Sequence, residues 1–253
     1  MQSQKSEVST QNQNEITPLL PITPWLVAGI SERRHGNLRL GPRGETIDVL
    51  CRARFAFELG IPPERVIASV PSQTAAVCCV DSKNLESVSE ADAFITAESN
   101  LFLSVTVADE IPLFLVDPSA MLAGLVRLDW RNLLRGIITE TVIALEKLGG
   151  HTDDLRVALG PSLRSCHAEI DLTAANQLRD HLGADVVLQQ GGRLFLDLPR
   201  SVFRSLGRTG VPPSNIAVSP VCTFCEERYF SQRRDSSQGL GIEAMMAVIG
   251  MKE

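Results

Sequence analysis

Apolar positions along the chain repeat with two periods, and each period predicts its own elements. Asp48 to Leu59 carries apolar residues at helical spacing and stops at Gly60 before Pro62 and Pro63, which predicts a helix. Trp130 to Leu148 reads as the longest helix, closed by Gly149-Gly150. Thr173 to Leu182 and Pro199 to Leu206 are two more, the last with proline in its first turn. Short apolar runs of β-branched character predict strands of a buried sheet at Trp25–Ile30, Val66–Val70, Val77–Val80, Ala93–Thr96, Leu101–Val107 and Leu113–Val116. Further strands are expected at Arg156–Leu159, Leu194–Leu198 and Ile216–Val218. Residues 1–22, rich in Gln, Asn, Ser and Thr, read as a mobile tail. From Trp25 to the end there is no internal repeat, no heptad pattern and no low-complexity linker. The interleaving has no clean βαβ rhythm, so the expected fold is a single mixed α/β (α+β) domain over residues 23–253.

Composition narrows the classes of function. The 253 residues carry 24 Lys and Arg against 30 Asp and Glu, a formal charge of −6. That balance argues against a protein that grips phosphate backbones, and no nucleic-acid partner is expected. The apolar stretch Leu101–Val116 is interrupted by Asp109 and Glu110, and Ala244–Met251 is too short to span a bilayer, so no membrane partner is expected either. The N-terminal residues lack the apolar core of a secretory signal, and a cytoplasmic location is the expectation. The six cysteines are then reduced thiols or metal ligands rather than a disulfide framework. No oligomeric state follows from these numbers.

Four groups of residues could carry chemistry. Cys222-Thr-Phe-Cys225 has the spacing at which two sulfurs meet across a turn, for zinc or for redox exchange. A zinc site there would need a second pair of ligands, which Cys166-His167 could supply, and packed reduced thiols are the other reading. Cys78-Cys79 sits on a strand where neighbours face opposite sides, so core packing explains it better than a shared site. The arginines of Arg33-Arg34 (beside His35), Trp130-Arg131 and Arg233-Arg234 fall at element boundaries, where guanidinium groups can bind an anion bidentately or simply face water. Asp109-Glu110, with Asp129 beyond, places carboxylates inside an apolar stretch, which costs free energy unless they are paired or functional.

The order of these features resembles the bacterial laccase-domain family, formerly known as multicopper polyphenol oxidases and now regarded as zinc-dependent purine nucleoside phosphorylases. The matching segments are Ser31-Glu32-Arg33, Gln73-Thr74-Ala75, and Ala108-Asp109-Glu110-Ile111-Pro112 through Asp117. They continue with Arg127-Leu128-Asp129-Trp130-Arg131-Asn132, then Leu159-Gly160-Pro161 followed by Cys166 and Glu169. The end supplies Cys222-Thr223, Tyr229-Phe230-Ser231-Gln232-Arg233-Arg234 and Gly239-Leu240. The resemblance implies sheets packed as a sandwich with outer helices. It also implies a purine nucleoside or phosphate-containing ligand, with Arg33, Gln73, Trp130, Arg131, Arg233 and Arg234 as the binding residues.

The same resemblance assigns the family's three zinc ligands to positions that here hold Ala75, Glu110 and Arg127. An alanine has no donor atom and an arginine stays protonated, so no metal and no other cofactor is expected. Glu110 and Arg127 are instead expected to form an ion pair across the old site. The protein would then be a member of the family that binds a ligand or partner without the zinc site. The alternatives are an active phosphorylase or adenosine deaminase with a rebuilt metal site, in which Asp109 and Glu110 are the catalytic candidates and Cys166 a further ligand, and a redox protein or other hydrolase using Cys222 and Cys225.

Overall fold

The run Leu101–Val107 is buried at every position, Ser104 and Thr106 included, because both faces of this strand are covered. The computed structural model describes residues 16, 19–21, 23–41, 48–68, 72, 74–84, 90–239 and 243–253. A four-stranded sheet has the order β1 (Leu26–Ile30), β13 (Met245–Met251), β5 (Leu101–Val107), β2 (Val66–Ala68). Its first three strands are antiparallel and β2 runs parallel to β5. A six-stranded mixed sheet has the order β12 (Ile216–Val218), β8 (Arg156–Leu159), β6 (Ile111–Asp117), β7 (Leu122–Leu128), β4 (Ala93–Thr96), β3 (Val77–Cys79). A small antiparallel sheet joins β10 (Val187–Gln190), β11 (Arg193–Leu196) and β9 (Glu169–Ile170).

The two larger sheets pack face to face. Leu101, Leu103, Val105 and Val107 of β5 meet Phe94, Phe114, Val116 and Leu125 of the six-stranded sheet in one buried cluster. The alternate residue Phe102, with Met246 and Val248 of β13, faces the other way, toward Phe55 and Ala56 of helix α1 (Val49–Glu58). On the outer face of the six-stranded sheet, Ile95, Leu113, Leu115, Val126 and Val157 pack against α3 (Ile137–Lys147), α4 (Leu172–Leu182) and α5 (Leu198–Arg208). The period-2 alternation of each strand thus feeds two apolar layers at once. Sheets in a sandwich with helices outside, in a mixed α/β fold, is the architecture expected.

Several elements differ from the pattern-based expectation. Trp130–Leu148 is two helices, α2 (Trp130–Leu134) and α3, because Gly136 between them has φ +84°. Among the described residues no atom lies within 4 Å of where its Cβ would be, so the backbone conformation is what opposes a side chain there. Gly136→Ala is expected to cost about 1–2 kcal/mol in urea unfolding, from the left-handed conformation alone. The strand expected over Leu194–Leu198 ends at Leu196, where Asp197 accepts the Arg200 amide at 3.0 Å and starts α5. The apolar pattern does not predict strands β7, β9, β10 and β13 or helix α6 (Gln232–Ser237). β7 (Leu-Ala-Gly-Leu-Val-Arg-Leu) has little β-branched content, and pairing with β4 and β6 on both sides determines it instead. Ile16 and Leu20, inside the expected tail, are buried in the core between the sheets.

Candidate functional site

A cavity of about 410 Å³ opens beyond the end of the six-stranded sheet. Ala108, Asp109 and Glu110 come from the turn between β5 and β6, and Asp129 and Trp130 from the start of α2. Leu163, Ala168, Ile170, Leu196 and Leu198 form an apolar wall, and Gln232, Arg233 and Ser236 of α6 close it. Each polar wall has a local cause. The Asp129 carboxylate accepts the amides of Arg131 (2.8 Å) and Asn132 (2.9 Å) and so caps α2. The hydroxyl of Ser231 accepts the Arg234 amide at 3.2 Å and starts α6.

Asp109 is the junction of the site. Its φ of +95° is in the left-handed region, where non-glycine residues are uncommon and Asp is enriched. Its Oδ1 accepts the Thr223 hydroxyl at 2.6 Å and its Oδ2 the Arg233 amide at 2.7 Å. Its carbonyl accepts the Leu163 amide at 2.9 Å. One residue therefore ties the β5–β6 turn to three other segments.

Glu110 and Arg127 form the expected ion pair, with side chains 13% and 14% exposed. The second oxygen of Glu110 accepts the Ala108 amide at 2.7 Å, while Nη1 of Arg127 is buried without a hydrogen-bond partner among the described residues. Ala75 is at the same place through Asp92, whose carboxylate accepts the Ala75 amide at 3.2 Å and whose carbonyl accepts the Arg127 amide at 2.8 Å. Ala75 itself has φ +67°.

The expectation of no metal or cofactor is overturned by a second cluster. The ligand atoms of Cys166, His167, Cys222 and Cys225 all lie within 4.8 Å of one another, a set that could hold a metal ion. The sequence offered Cys166-His167 as the second half of such a site; the fold brings it to Cys222 by a parallel bridge between Ser162 and Cys222 and by the Thr223 amide donating to the Ser162 carbonyl at 3.1 Å. Burial and hydrogen bonds with the Cys222 and Cys225 thiols push the Cys166 thiol up to about 12. Burial also raises Cys222, but hydrogen bonds from the backbone of Arg164, Cys225 and Phe224 and with the Cys166 thiol together outweigh it and hold that thiol below its ordinary value.

Residues 29–252 match the family described as multi-copper polyphenol oxidoreductase laccase. The chain belongs to this family. The purine nucleoside phosphorylase YlmD of Geobacillus stearothermophilus is 34% identical over 252 residues, 90% of each chain. A purine nucleoside phosphorylase of Mycobacterium bovis is 28% identical over 188 residues, 74% of each chain. Among solved structures, crystalline YlmD from Geobacillus stearothermophilus superposes with a TM-score of 0.79 at 28% identity, covering 91% of this chain and 93% of the other. Bacillus licheniformis YfiH shares the fold with a TM-score of 0.78 at 23% identity, covering 90% and 93%.

Within this laccase-domain chain the residues expected to bind ligand divide into groups. Trp130 and Arg233 line the cavity, as do the catalytic candidates Asp109 and Glu110. Arg131 stacks over the Trp130 ring at 4.5 Å. Arg33 turns to the protein's own acceptors, Asp235 at 2.9 Å and the Glu227 carbonyl at 3.2 Å, above the Phe230 ring. Arg234 likewise donates to the carbonyls of Thr223, Phe224 and Tyr229 and to Asp235. Gln73 and Leu240 lie outside the described residues. His35 is buried, with Nε2 2.9 Å from Glu58. The apolar wall from Leu163 to Leu198 has no signature in the sequence, since nothing in a run of ordinary core residues marks it as a ligand surface. No helix among the described residues is long and apolar enough to cross a membrane.

Proposed function

We propose that the cavity binds a purine nucleoside and that the family's metal position at Ala75, Glu110 and Arg127 has been given over to the Glu110–Arg127 ion pair, making this a ligand-binding member of the family without a metal at that position. The observation that carries it is that pair beside Ala75. Ala75 offers no donor, the guanidinium stays protonated, and both oxygens of Glu110 already accept hydrogen bonds. A dication needing three protein ligands does not fit this set. Relatives named as purine nucleoside phosphorylases support the ligand class.

The chemistry of the cavity supports the same class. Its volume is in the range for a small-molecule site, and apolar side chains on one wall with Trp130 suit a planar base. Asp109 and Asp129 keep lone pairs for hydroxyl and amino donors. Three carboxylates against the single cation Arg233 in the lining favour a neutral nucleoside over a nucleotide, whose phosphate would meet like charge.

Titration calorimetry of the purified protein with adenosine and inosine is expected to give saturable binding, with AMP weaker. Trp130→Ala should weaken nucleoside binding by about 1–3 kcal/mol, the worth of one stacked base. In parallel, incubation with adenosine and phosphate, separated by chromatography, is expected to yield no adenine, inosine or hypoxanthine. Product forming in proportion to protein would overturn the loss of turnover and favour the second reading, an active phosphorylase or adenosine deaminase. What favours that reading is the link from the cysteine cluster to the cavity through Thr223 and Asp109.

A further inference from the structure

We infer that Cys166, His167, Cys222 and Cys225 form a closed, structural zinc site that fastens the loop after β8 to the turn preceding α6. Four of the six ligand–ligand separations are close to the edges of a tetrahedral site, and all six lie within 4.8 Å. With Zn–S near 2.3 Å and Zn–N near 2.0–2.1 Å, the edges of such a site are about 3.8 Å between sulfurs and about 3.6 Å from sulfur to nitrogen. Cys166 Sγ lies 3.5 Å from Cys222 Sγ and 3.8 Å from Cys225 Sγ. His167 Nδ1 lies 3.2 Å from Cys166 Sγ and 3.4 Å from Cys225 Sγ.

Other accounts of this convergence explain less of it. Thiols are weak donors and weak acceptors, so hydrogen bonding among three of them with an imidazole contributes little. A disulfide between Cys166 and Cys222 would use two of the groups and leave Cys225 and His167 without a reason to be there. One ion accounts for all four. Three thiolates and an imidazole are a zinc donor set, and four protein ligands leave no open position for substrate, which is the structural rather than the catalytic arrangement.

The local structure is built to present these atoms. Adjacent residues seldom ligate one ion, but His167 turns Nδ1, the ring nitrogen nearer its own backbone, toward the sulfurs. Its ring is held by stacking on Phe224, with centroids 3.8 Å apart and planes 15° from parallel. Phe224 and Thr223 are the two residues inside the Cys222–Cys225 turn, and Arg234 holds both of their carbonyls at 2.9–3.0 Å. Through the Thr223 hydroxyl on Asp109, the ion would set the position of a cavity wall. The site is separate from the family's metal position at Ala75, Glu110 and Arg127.

Elemental analysis of the full chain, purified under reducing conditions from zinc-supplemented cells, tests this. Stoichiometric zinc is expected, released only when a chelator acts together with a thiol-reactive mercurial. Cys225 is exposed, so Cys225→Ser removes a ligand with little loss of packing and should weaken zinc binding by about tenfold or more. Glu110→Gln should leave zinc content unchanged. Cobalt loaded into the wild-type chain in place of zinc should show thiolate-to-metal charge transfer and intense tetrahedral visible bands, which decides the matter even where a variant does not fold. The proposal is overturned by a metal-free wild-type chain that takes up no cobalt, by a cobalt spectrum without charge transfer, by a Cys166–Cys222 disulfide formed in place of metal, or by zinc that survives Cys166→Ser and Cys225→Ser but falls with Glu110→Gln.

Discussion

Glu110→Arg is expected to destabilise the fold by about 3–5 kcal/mol, and the exchange Glu110→Arg/Arg127→Glu to restore part of that loss. Both side chains are mostly buried, at 13% and 14% exposure, so neither charge can be solvated when its partner is gone. The single substitution places two guanidinium groups together, and at an effective dielectric near 20 two like charges 4 Å apart repel by about 4 kcal/mol. It also removes the oxygen that accepts the Ala108 amide, which the exchange does not restore, so recovery stays incomplete. Urea unfolding of the two single variants and the double variant gives the coupling between the sites. Strictly additive losses would refute the pairing. The native pair itself need not stabilise the fold over an apolar replacement, because desolvation offsets its attraction. Its effect is to specify geometry where Pro112 of β6 is paired with Arg127 of β7.

The second large effect is at Asp109. Asp109→Ala is expected to cost about 2–4 kcal/mol, because it strips the acceptor from the Thr223 hydroxyl and the Arg233 amide and leaves alanine in a left-handed conformation. Asp109→Asn keeps a residue that tolerates that conformation and one of the two acceptors, and should lose about half as much. Thermal and urea unfolding measure the stability, and nucleoside calorimetry on the same variants reports the cavity. If binding falls more than stability in the asparagine variant, Asp109 acts in recognition as well as in joining the walls. Equal stability of the wild-type and alanine chains would refute the junction role.

How much of this was legible depends on the range over which each feature is determined. The largely apolar, β-branched run Leu101–Val107 and the helical spacing before Gly60 state their elements outright, since burial on two faces and on one face leave different periods. The break at Gly136 was not legible, because the apolar positions of α2 and α3 continue one helical pattern across it. β7 was hidden for a different cause. Its small residues Ala123 and Gly124 suit the crowded centre of a sheet, where Gly124 is against Ile95 and Leu115, and that crowding exists only once β4 and β6 flank it.

The site divides along the same line. Residue chemistry by itself determined that Ala75 and Arg127 cannot ligate a metal and that buried Glu110 needs a positive partner. It also determined that a Cys-x-x-Cys pair needs a second pair of ligands, and it nominated Cys166-His167. Only the tertiary structure decided that these four atoms meet, because Cys166 and Cys222 are 56 positions apart and the bridge at Ser162 closes that gap. Only packing, too, separated Arg233, at the cavity, from Arg33 and Arg234, bound to the protein's own carbonyls and to Asp235. A sequence states which donors exist. Which acceptors they reach is a property of segments distant along the chain, and the folded sheets set those distances.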